Sequence, residues 1–264
     1  MKLHVVLADP AGNRTALVEE RAVKESSKRE ISRRLLEDAS LAIEQVGYFR
    51  MEGAGSPAHL EMMGGEFCGN AARSFGLFLA KKRGMQNGYQ SITVSGSREP
   101  LKVQISGDDA SIFLPTQHAF SNLSILGKEP LPVVELPGIF HIIAQGVEAC
   151  QKNLTPILQA AREQLCAPAV GVLFYDANAR FLRPAVAVWE QGSVVFENSC
   201  GSGSLALALH LKREMQSGGC AMSIEQPGGR IRVVLQKLNG ALLSCKIGGP
   251  VALETREIEI EDAK

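Results

Sequence analysis

Two periods of apolar residues alternate along this chain, and the places where one gives way to the other mark its elements. Residues 3–7, Leu-His-Val-Val-Leu, read as a first strand and residues 15–18 as a second. Asp9-Pro10-Ala11-Gly12-Asn13 between them reads as a turn, because Pro and Gly supply the backbone angles a turn needs. From residue 27 to about 42, the positions Ile31, Leu35, Leu36, Ala39 and Ala42 recur once per helical turn, which predicts a helix with one buried face. Residues 48–51 are a short strand candidate, and residues 52–65 a loop containing Gly53, Gly55, Ser56 and Pro57. The run Glu66-Phe67-Cys68-Gly69-Asn70-Ala71-Ala72-Arg73 opens a second, more apolar helix that ends near Lys82. Short alternating strands follow at 91–95, 101–105 and 110–114.

The second half follows a similar plan. Strands are predicted at 131–136 and 140–144, split by Pro137-Gly138, then a helix at about 154–165 and strands at 170–175 and 181–189. Asn198-Ser199-Cys200-Gly201-Ser202-Gly203 then leads into an apolar helix expected to end near Gly218. Strands at 221–225, 230–236 and 241–247 follow, with 258–260 as a last edge strand. Each half thus carries a cysteine, a glycine, a small polar residue and an apolar helix, and the two cysteines lie 132 residues apart in a chain of 264. This predicts an internal duplication into two similar α/β lobes, residues 1–115 and 116–250, followed by a tail at 251–264.

Charge narrows the function classes. Lys plus Arg and Asp plus Glu both number 28, so no net field draws the chain to nucleic acid or to a membrane surface. No apolar stretch approaches the roughly 20 residues of a membrane span. The first 20 residues are interrupted by His4, Asp9, Asn13 and Arg14 and carry no secretory pattern, so a cytoplasmic setting with reduced thiols is expected. The six cysteines form no CxxC pair and the five histidines are scattered, so no metal site is expected. Free cysteines mostly serve as small buried hydrophobes, and that reading is expected to hold for three or four of the six, Cys150, Cys166, Cys220 and Cys245 being the candidates.

Cys68 and Cys200 invite more. A glycine after each permits a tight entry into the helix, and the helix start leaves backbone N–H groups aimed at an anion. The N–H groups around Gly69 and Asn70, and around Gly201 and Ser202, could hold a substrate carboxylate. The same field is expected to lower the thiol pKa. One thiolate and one thiol on opposite faces of a carbon α to a carboxylate would suit inversion: one removes the α-proton and the other returns a proton. A cysteine at a helix start can also be plain packing, or a lone nucleophile with a histidine base, and the residues alone leave these alternatives open.

The two segments, Gly65-Glu66-Phe67-Cys68-Gly69-Asn70-Ala71-Ala72-Arg73 and Asn198-Ser199-Cys200-Gly201-Ser202-Gly203, resemble the two active-site signatures of the diaminopimelate epimerase family. The order and placement of motifs match over nearly the whole chain. The resemblance implies two pseudo-symmetric lobes, each a curled mixed or antiparallel sheet around a central helix, with the tail returning to the first lobe. It implies a homodimer, no pyridoxal phosphate or other cofactor, and Cys68 and Cys200 as catalytic acid and base. Asn13 in Gly12-Asn13, Gln45 after the first helix, His141 and Glu190 match positions that line the family's active site. By themselves, Asn13 is an ordinary turn residue, His141 a core histidine and Glu190 a strand-end charge.

Departures bear on the substrate. Gln191 stands where diaminopimelate epimerases carry an arginine for the far carboxylate, and the segment from Gln191 to Cys200 is about one residue longer than the pattern. An unpaired buried carboxylate costs several kcal/mol, so diaminopimelate fits poorly. His59, Glu61, Glu66 and Gln191 point to a polar or cationic side chain, with Glu61 or Glu66 as its partner. The family includes histidine racemases that feed D-histidine to opine-type metallophore synthesis, which makes histidine the leading substrate expectation. The alternatives are diaminopimelate epimerisation from the LL to the meso form, a small carboxylic-acid isomerase, and a non-enzymatic small-molecule binding protein.

Overall fold

The computed structural model describes residues 2–53, 57–127, 129–190 and 192–260. The chain forms two compact units, Met1–Phe113 with Gly248–Lys264, and Leu114–Ile247.

The first unit begins with β1 (Lys2–Asp9) and β2 (Thr15–Glu19), an antiparallel pair. At their turn Ala11 and Gly12 both adopt positive φ, and Gly12 N donates to Asp9 Oδ1 at 2.7 Å. α1 (Lys28–Glu37) is a crossover to β3 (Gln45–Arg50), which lies parallel to β2. β4 (His59–Met62) returns antiparallel to β3. α2 (Gly69–Lys82) then crosses to β5 (Asn87–Val94), parallel to β4, and β6 (Leu101–Ser106) and β7 (Asp109–Leu114) complete an antiparallel meander. The helix predicted over 27–42 is shorter than its apolar period: it stops at Glu37, and Ala42 takes φ of 47°, which a helix excludes. The expected loop at 52–65 contains β4, too short for alternation to register, while its Gly55 and Ser56 lie outside the described residues.

In the second unit β8 (Ala119–Leu123), β9 (Leu131–Leu136) and β10 (Ile139–Gln145) form an antiparallel run. α3 (Gln151–Gln164) crosses to β11 (Ala169–Asp176), parallel to β10, and β12 (Phe181–Val188) returns antiparallel. A short β13 (Ser193–Phe196) pairs with β12. α4 (Gly201–Leu211) then crosses to β14 (Gly218–Gln226), which bridges β12 in parallel and pairs antiparallel with β15 (Gly229–Leu238), followed by β16 (Ala241–Pro250). β17 (Ala252–Glu259) closes the chain, pairing with all of β1 from Lys2↔Glu259 to Asp9↔Ala252. Sequence alternation marked only 258–260, because half of β17 is exposed and its apolar residues are few. α4 ends at Leu211, not near Gly218, because Lys237 Nζ reaches from β15 to donate to the carbonyls of Lys212 and Arg213.

α2 and α4 are the central helices of their units. Residues 70–80 of α2 are buried without a break, and so are 203–209 of α4; a helix apolar all round belongs inside. Each lies close on a strand through a glycine. A Cβ at Gly76 would stand 2.8 Å from Val103 on β6, and one at Gly203 2.8 Å from Leu173 on β11. Phe49, Phe75 and Phe78 pack beside α2 with centroids 5.1–6.4 Å apart. Among the described residues, no helix is long and apolar enough to cross a membrane.

Candidate active site

Each central helix begins at a cysteine, and both cysteines are built the same way. Cys68 is the N-cap of α2, at φ −124° and ψ 110°, and Cys200 the N-cap of α4, at φ −125° and ψ 114°. Each sulfur accepts from the N–H three residues on, Ala71 N at 3.4 Å and Gly203 N at 3.3 Å. A thiolate can take the place of the Ser or Asp oxygen usual at an N-cap, and the first-turn N–H groups favour its charge. Gly69, Asn70, Gly201 and Ser202, singled out in the sequence, form these first turns.

In the first unit the half-buried Cys68 sulfur sits in a set of amides. Gln45 Nε2 donates to Cys68 Sγ at 3.2 Å, to Asn13 Oδ1 at 2.8 Å and to Thr15 Oγ1 at 3.0 Å, so its two hydrogens are shared among three acceptors. Asn70 Nδ2 reaches the same Asn13 Oδ1 at 3.4 Å, and Cys68 Sγ lies 3.9 Å from it. Asn13 Nδ2 donates to Glu44 Oε2 at 2.6 Å. The structure thus brings Asn13, Gln45, Asn70 and Cys68 together. Arg73, fully buried, holds Asn70 in place: its Nε donates to Asn70 Oδ1 at 3.1 Å and its Nη1 to Gly249 O at 2.8 Å. Sequence reading missed Thr15, Glu44 and Arg73 as parts of this set, although Arg73 lies inside the quoted motif.

His59 and Glu61 have partners of their own. His59 Nδ1 is 2.9 Å from Thr93 Oγ1, and Glu61 pairs with Lys28 Nζ at 3.1 Å. Lys28 also pairs with Glu20 at 2.8 Å and Glu25 at 2.7 Å, and these bonds outweigh its burial to hold its charge. Glu66, two residues before Cys68, differs: its Oε2 is buried and has no hydrogen-bond partner among the described residues. Its backbone is pinned, since Ser95 Oγ donates to Glu66 O at 2.8 Å and accepts from Met62 N at 2.9 Å.

In the second unit Cys200 is buried. Its N–H donates to Gln226 Oε1 at 2.8 Å, Gln226 Nε2 donates to Ser204 Oγ at 2.9 Å, and Ser204 Oγ donates back to Cys200 O at 2.7 Å. Ser202 Oγ lies 3.5 Å from Cys200 Sγ and 3.0 Å from His141 Nε2. His141 is fully buried, and burial lowers its pKa to about 3, so the ring is neutral at working pH. Burial also pushes the Cys200 thiol well up, aided by the Glu197 carboxylate, while Ser202 and the Gly203 N–H pull it down. The expected lowering by the helix start is present at Cys200 but loses to desolvation.

Glu190 is exposed, Gly192 N donates to Trp189 O at 3.2 Å, and Gln191 lies outside the described residues. The carboxylate that acts on Cys200 is Glu197, which follows β13. Neither Glu197 nor Gln226 carried a signal in the sequence: one follows an unrecognised strand, and the other comes from a strand 26 residues beyond the cysteine. Among the described residues no group of three His, Cys, Asp or Glu could hold a metal ion.

This architecture and these residues have relatives. A histidine racemase of Fusobacterium nucleatum subsp. nucleatum is 32% identical over 246 residues, covering 89% of this chain and 90% of its own. A histidine racemase of Staphylococcus aureus is 27% identical over 256 residues, covering 92% of each chain. Among solved structures, a hydroxyproline epimerase from Agrobacterium vitis matches with TM-score 0.64 at 12% identity, covering 99% of this chain and 92% of its own. A phenazine biosynthesis PhzF family protein of Enterococcus faecalis matches with TM-score 0.66 at 14% identity, covering 98% and 100%. These structures share the α/β fold. Fold, capping thiols and relatives together define a cysteine-based racemase or epimerase, an isomerase. The family model described as "Histidine racemase CntK N-terminal domain" matches residues 2–256, and the chain belongs to that family.

Proposed function

We propose that the chain racemises histidine with Cys68 and Cys200 as paired acid and base on one α-carbon. The observation that carries this reading is the duplicated N-cap thiol, with the same backbone angles and the same N–H···S bond in both units. One sulfur, as thiolate, takes the α-proton and becomes a thiol. The other, as thiol, gives a proton to the opposite face and becomes a thiolate. In the reverse reaction the roles exchange. Between the two steps, charge grows on the substrate carboxylate, where first-turn N–H groups at Gly69, Asn70, Gly201 and Ser202 serve as preorganised donors. Asn13 and Gln45 orient the substrate beside Cys68. For the ammonium group, the family resemblance offers Glu190, and the structure adds Glu197 beside Cys200.

Histidine is favoured over other amino acids on two grounds. The curated relatives that match along most of their length carry that name. Glu66, two residues before Cys68 in the chain, has in Oε2 a buried acceptor in want of a donor, and an imidazole N–H is such a donor. Glu61 is less suited because Lys28 already pairs with it. A cytoplasmic homodimer belongs to the same proposal, supported by the family resemblance and by chemistry that needs reduced thiols.

The test is a panel of L-amino acids in heavy water without added pyridoxal phosphate, read by chiral chromatography and by α-deuterium incorporation. Inversion of histidine at a rate well above the rest of the panel is expected. Inversion of another amino acid but not of histidine would overturn the substrate, and no exchange in any member would overturn the racemase reading.

A further inference from the structure

We propose that Arg73 is a positioning residue that acts on Cys68 through Asn70: it fixes the polarity of the amides beside that sulfur, so that Cys68 meets a donor as thiolate and an acceptor as thiol with no amide turning over. This rests on the proposed role of Cys68 as acid and base.

An asparagine or glutamine amide offers an oxygen at one end and an NH2 at the other, and its neighbours decide which faces where. Neighbours of a single polarity decide it most firmly. Arg73 is one, because a guanidinium only donates. Its Nε lies 3.1 Å from Oδ1 of Asn70, so the Asn70 oxygen faces Arg73 and the Asn70 NH2 faces Asn13 Oδ1, 3.4 Å away. At the far end of Asn13 stands Glu44, a carboxylate that only accepts, and Asn13 Nδ2 donates to it at 2.6 Å. Both ends of Asn13 are then settled. Its Oδ1 takes Gln45 Nε2 at 2.8 Å, which turns the NH2 of Gln45, and not its oxygen, toward Cys68 Sγ at 3.2 Å. Asn13 Oδ1 itself lies 3.9 Å from the sulfur. Cys68 thus has an N–H donor on one amide and an oxygen acceptor on another.

A thiol that serves as base in one direction and acid in the other needs both. Dipoles fixed before the proton moves cost no reorganisation when it does. The guanidinium is itself held for this task. Its Nη1 donates to Gly249 O on β16 at 2.8 Å and lies 3.4 Å from Ala110 O on β7 and from Pro250 O, so the direction of Nε is set by strands on the other side of the side chain. Arg73 is fully buried in a helix whose neighbouring positions Ala71, Ala72, Phe75 and Leu77 are apolar. A leucine would fill that place without the cost of burying a charge, and what an arginine adds there is donors.

The test reads the thiol, not turnover, so it separates failure of this inference from failure of the racemase reading. Iodoacetamide labelling of the whole protein near neutrality is followed in time by peptide mass spectrometry, with Cys200 as the control in the same sample. Asn70→Ala is expected to slow Cys68 labelling about tenfold, and Arg73→Gln, whose amide offers either an N–H or an oxygen, about threefold. The double variant is no slower than Asn70→Ala alone, because Arg73 has then lost the residue it acts through. A guanidinium acting on the sulfur only by its charge would still slow labelling in the absence of Asn70. A further slowing in the double variant, an unmoved Cys68 profile in Arg73→Gln, or an equal change at Cys200 would overturn the proposal. Should Arg73→Gln fail to fold, Asn70→Asp decides the matter through the same readout. It keeps the shape and the acceptor for Arg73 Nε but sets an oxygen against Asn13 Oδ1, and Cys68 labelling is expected to fall about tenfold; labelling at the wild-type rate would overturn the proposal.

Discussion

Cys68 and Cys200 occupy the same place in the same chain plan, yet their surroundings differ in kind. The strand order leading to each is matched: antiparallel pair, helix, parallel strand, antiparallel return, then the cysteine and its central helix. Around Cys68 the partners are amides from β3, the β1–β2 turn and α2, which carry donors and acceptors together, and the sulfur is half-buried. Around Cys200 they are a serine hydroxyl, a buried neutral imidazole and a carboxylate, and the sulfur is sealed. Duplicated backbone thus fixes where each thiol stands, and side chains of separate origin set how readily it gives up its proton. In a reaction that needs one thiol and one thiolate, the two sulfurs need not be equals at rest.

That contrast can be broken or sharpened by experiment. The largest effect belongs to the cysteines: Cys68→Ala and Cys200→Ala should each lower inversion by about 10³-fold or more, the worth of a lost general acid or base. Chiral assay from both enantiomers measures it, and an active single variant would end the two-thiol account. Next comes Gly171→Ala, whose Cβ has no room against His141 in the second unit. It should cost about 2–3 kcal/mol of stability by overpacking, read as a lower thermal midpoint.

A pH effect follows from the same histidine. Its pKa is about 3 folded against 6.5 for the free side chain, so between those values the unfolded chain holds the extra proton. Stability from this residue is present above the upper value and is lost as pH falls, by at most about 1.4 kcal/mol per pH unit. Denaturant titrations at a series of pH values should show a shallower acid decline in His141→Phe than in wild type; parallel curves would contradict it.

A smaller effect is expected in the first unit. Gln45→Ala removes the amide donor to Cys68 and should slow turnover by about tenfold, while leaving the Cys200 labelling profile unmoved. The smallest is Glu61→Gln, which loosens the Lys28 cluster. Because Glu61 is 46% exposed, solvent screening holds the cost to about 1 kcal/mol or less in a thermal melt.

Much of the fold was legible in the chain because burial periods are strong where an element packs on two sides. β1, β11, α2 and α4 stood out for that reason. β4, β8 and β13 did not, each being only four or five residues long, with Val194 and Val195 of β13 turned to solvent. Around the two cysteines, the capping turns and Asn70 were legible from motif chemistry. Thr15, Glu197 and Gln226 were not, since each reaches its cysteine's surroundings through a pairing or a turn that no local pattern encodes.

By itself, the sequence determined two thiols at the starts of two apolar helices, in halves that repeat one plan. Local chemistry suffices for that, because a glycine after a cysteine and an unbroken apolar run are properties of neighbours in the chain. Only the tertiary structure decided which groups surround each sulfur, and hence that burial overrides the helix start at Cys200. It also decided that the last strand belongs with the first, along eight residue pairs between β17 and β1. Desolvation and strand pairing depend on residues far apart in sequence, which is why neither can be read from a window of the chain.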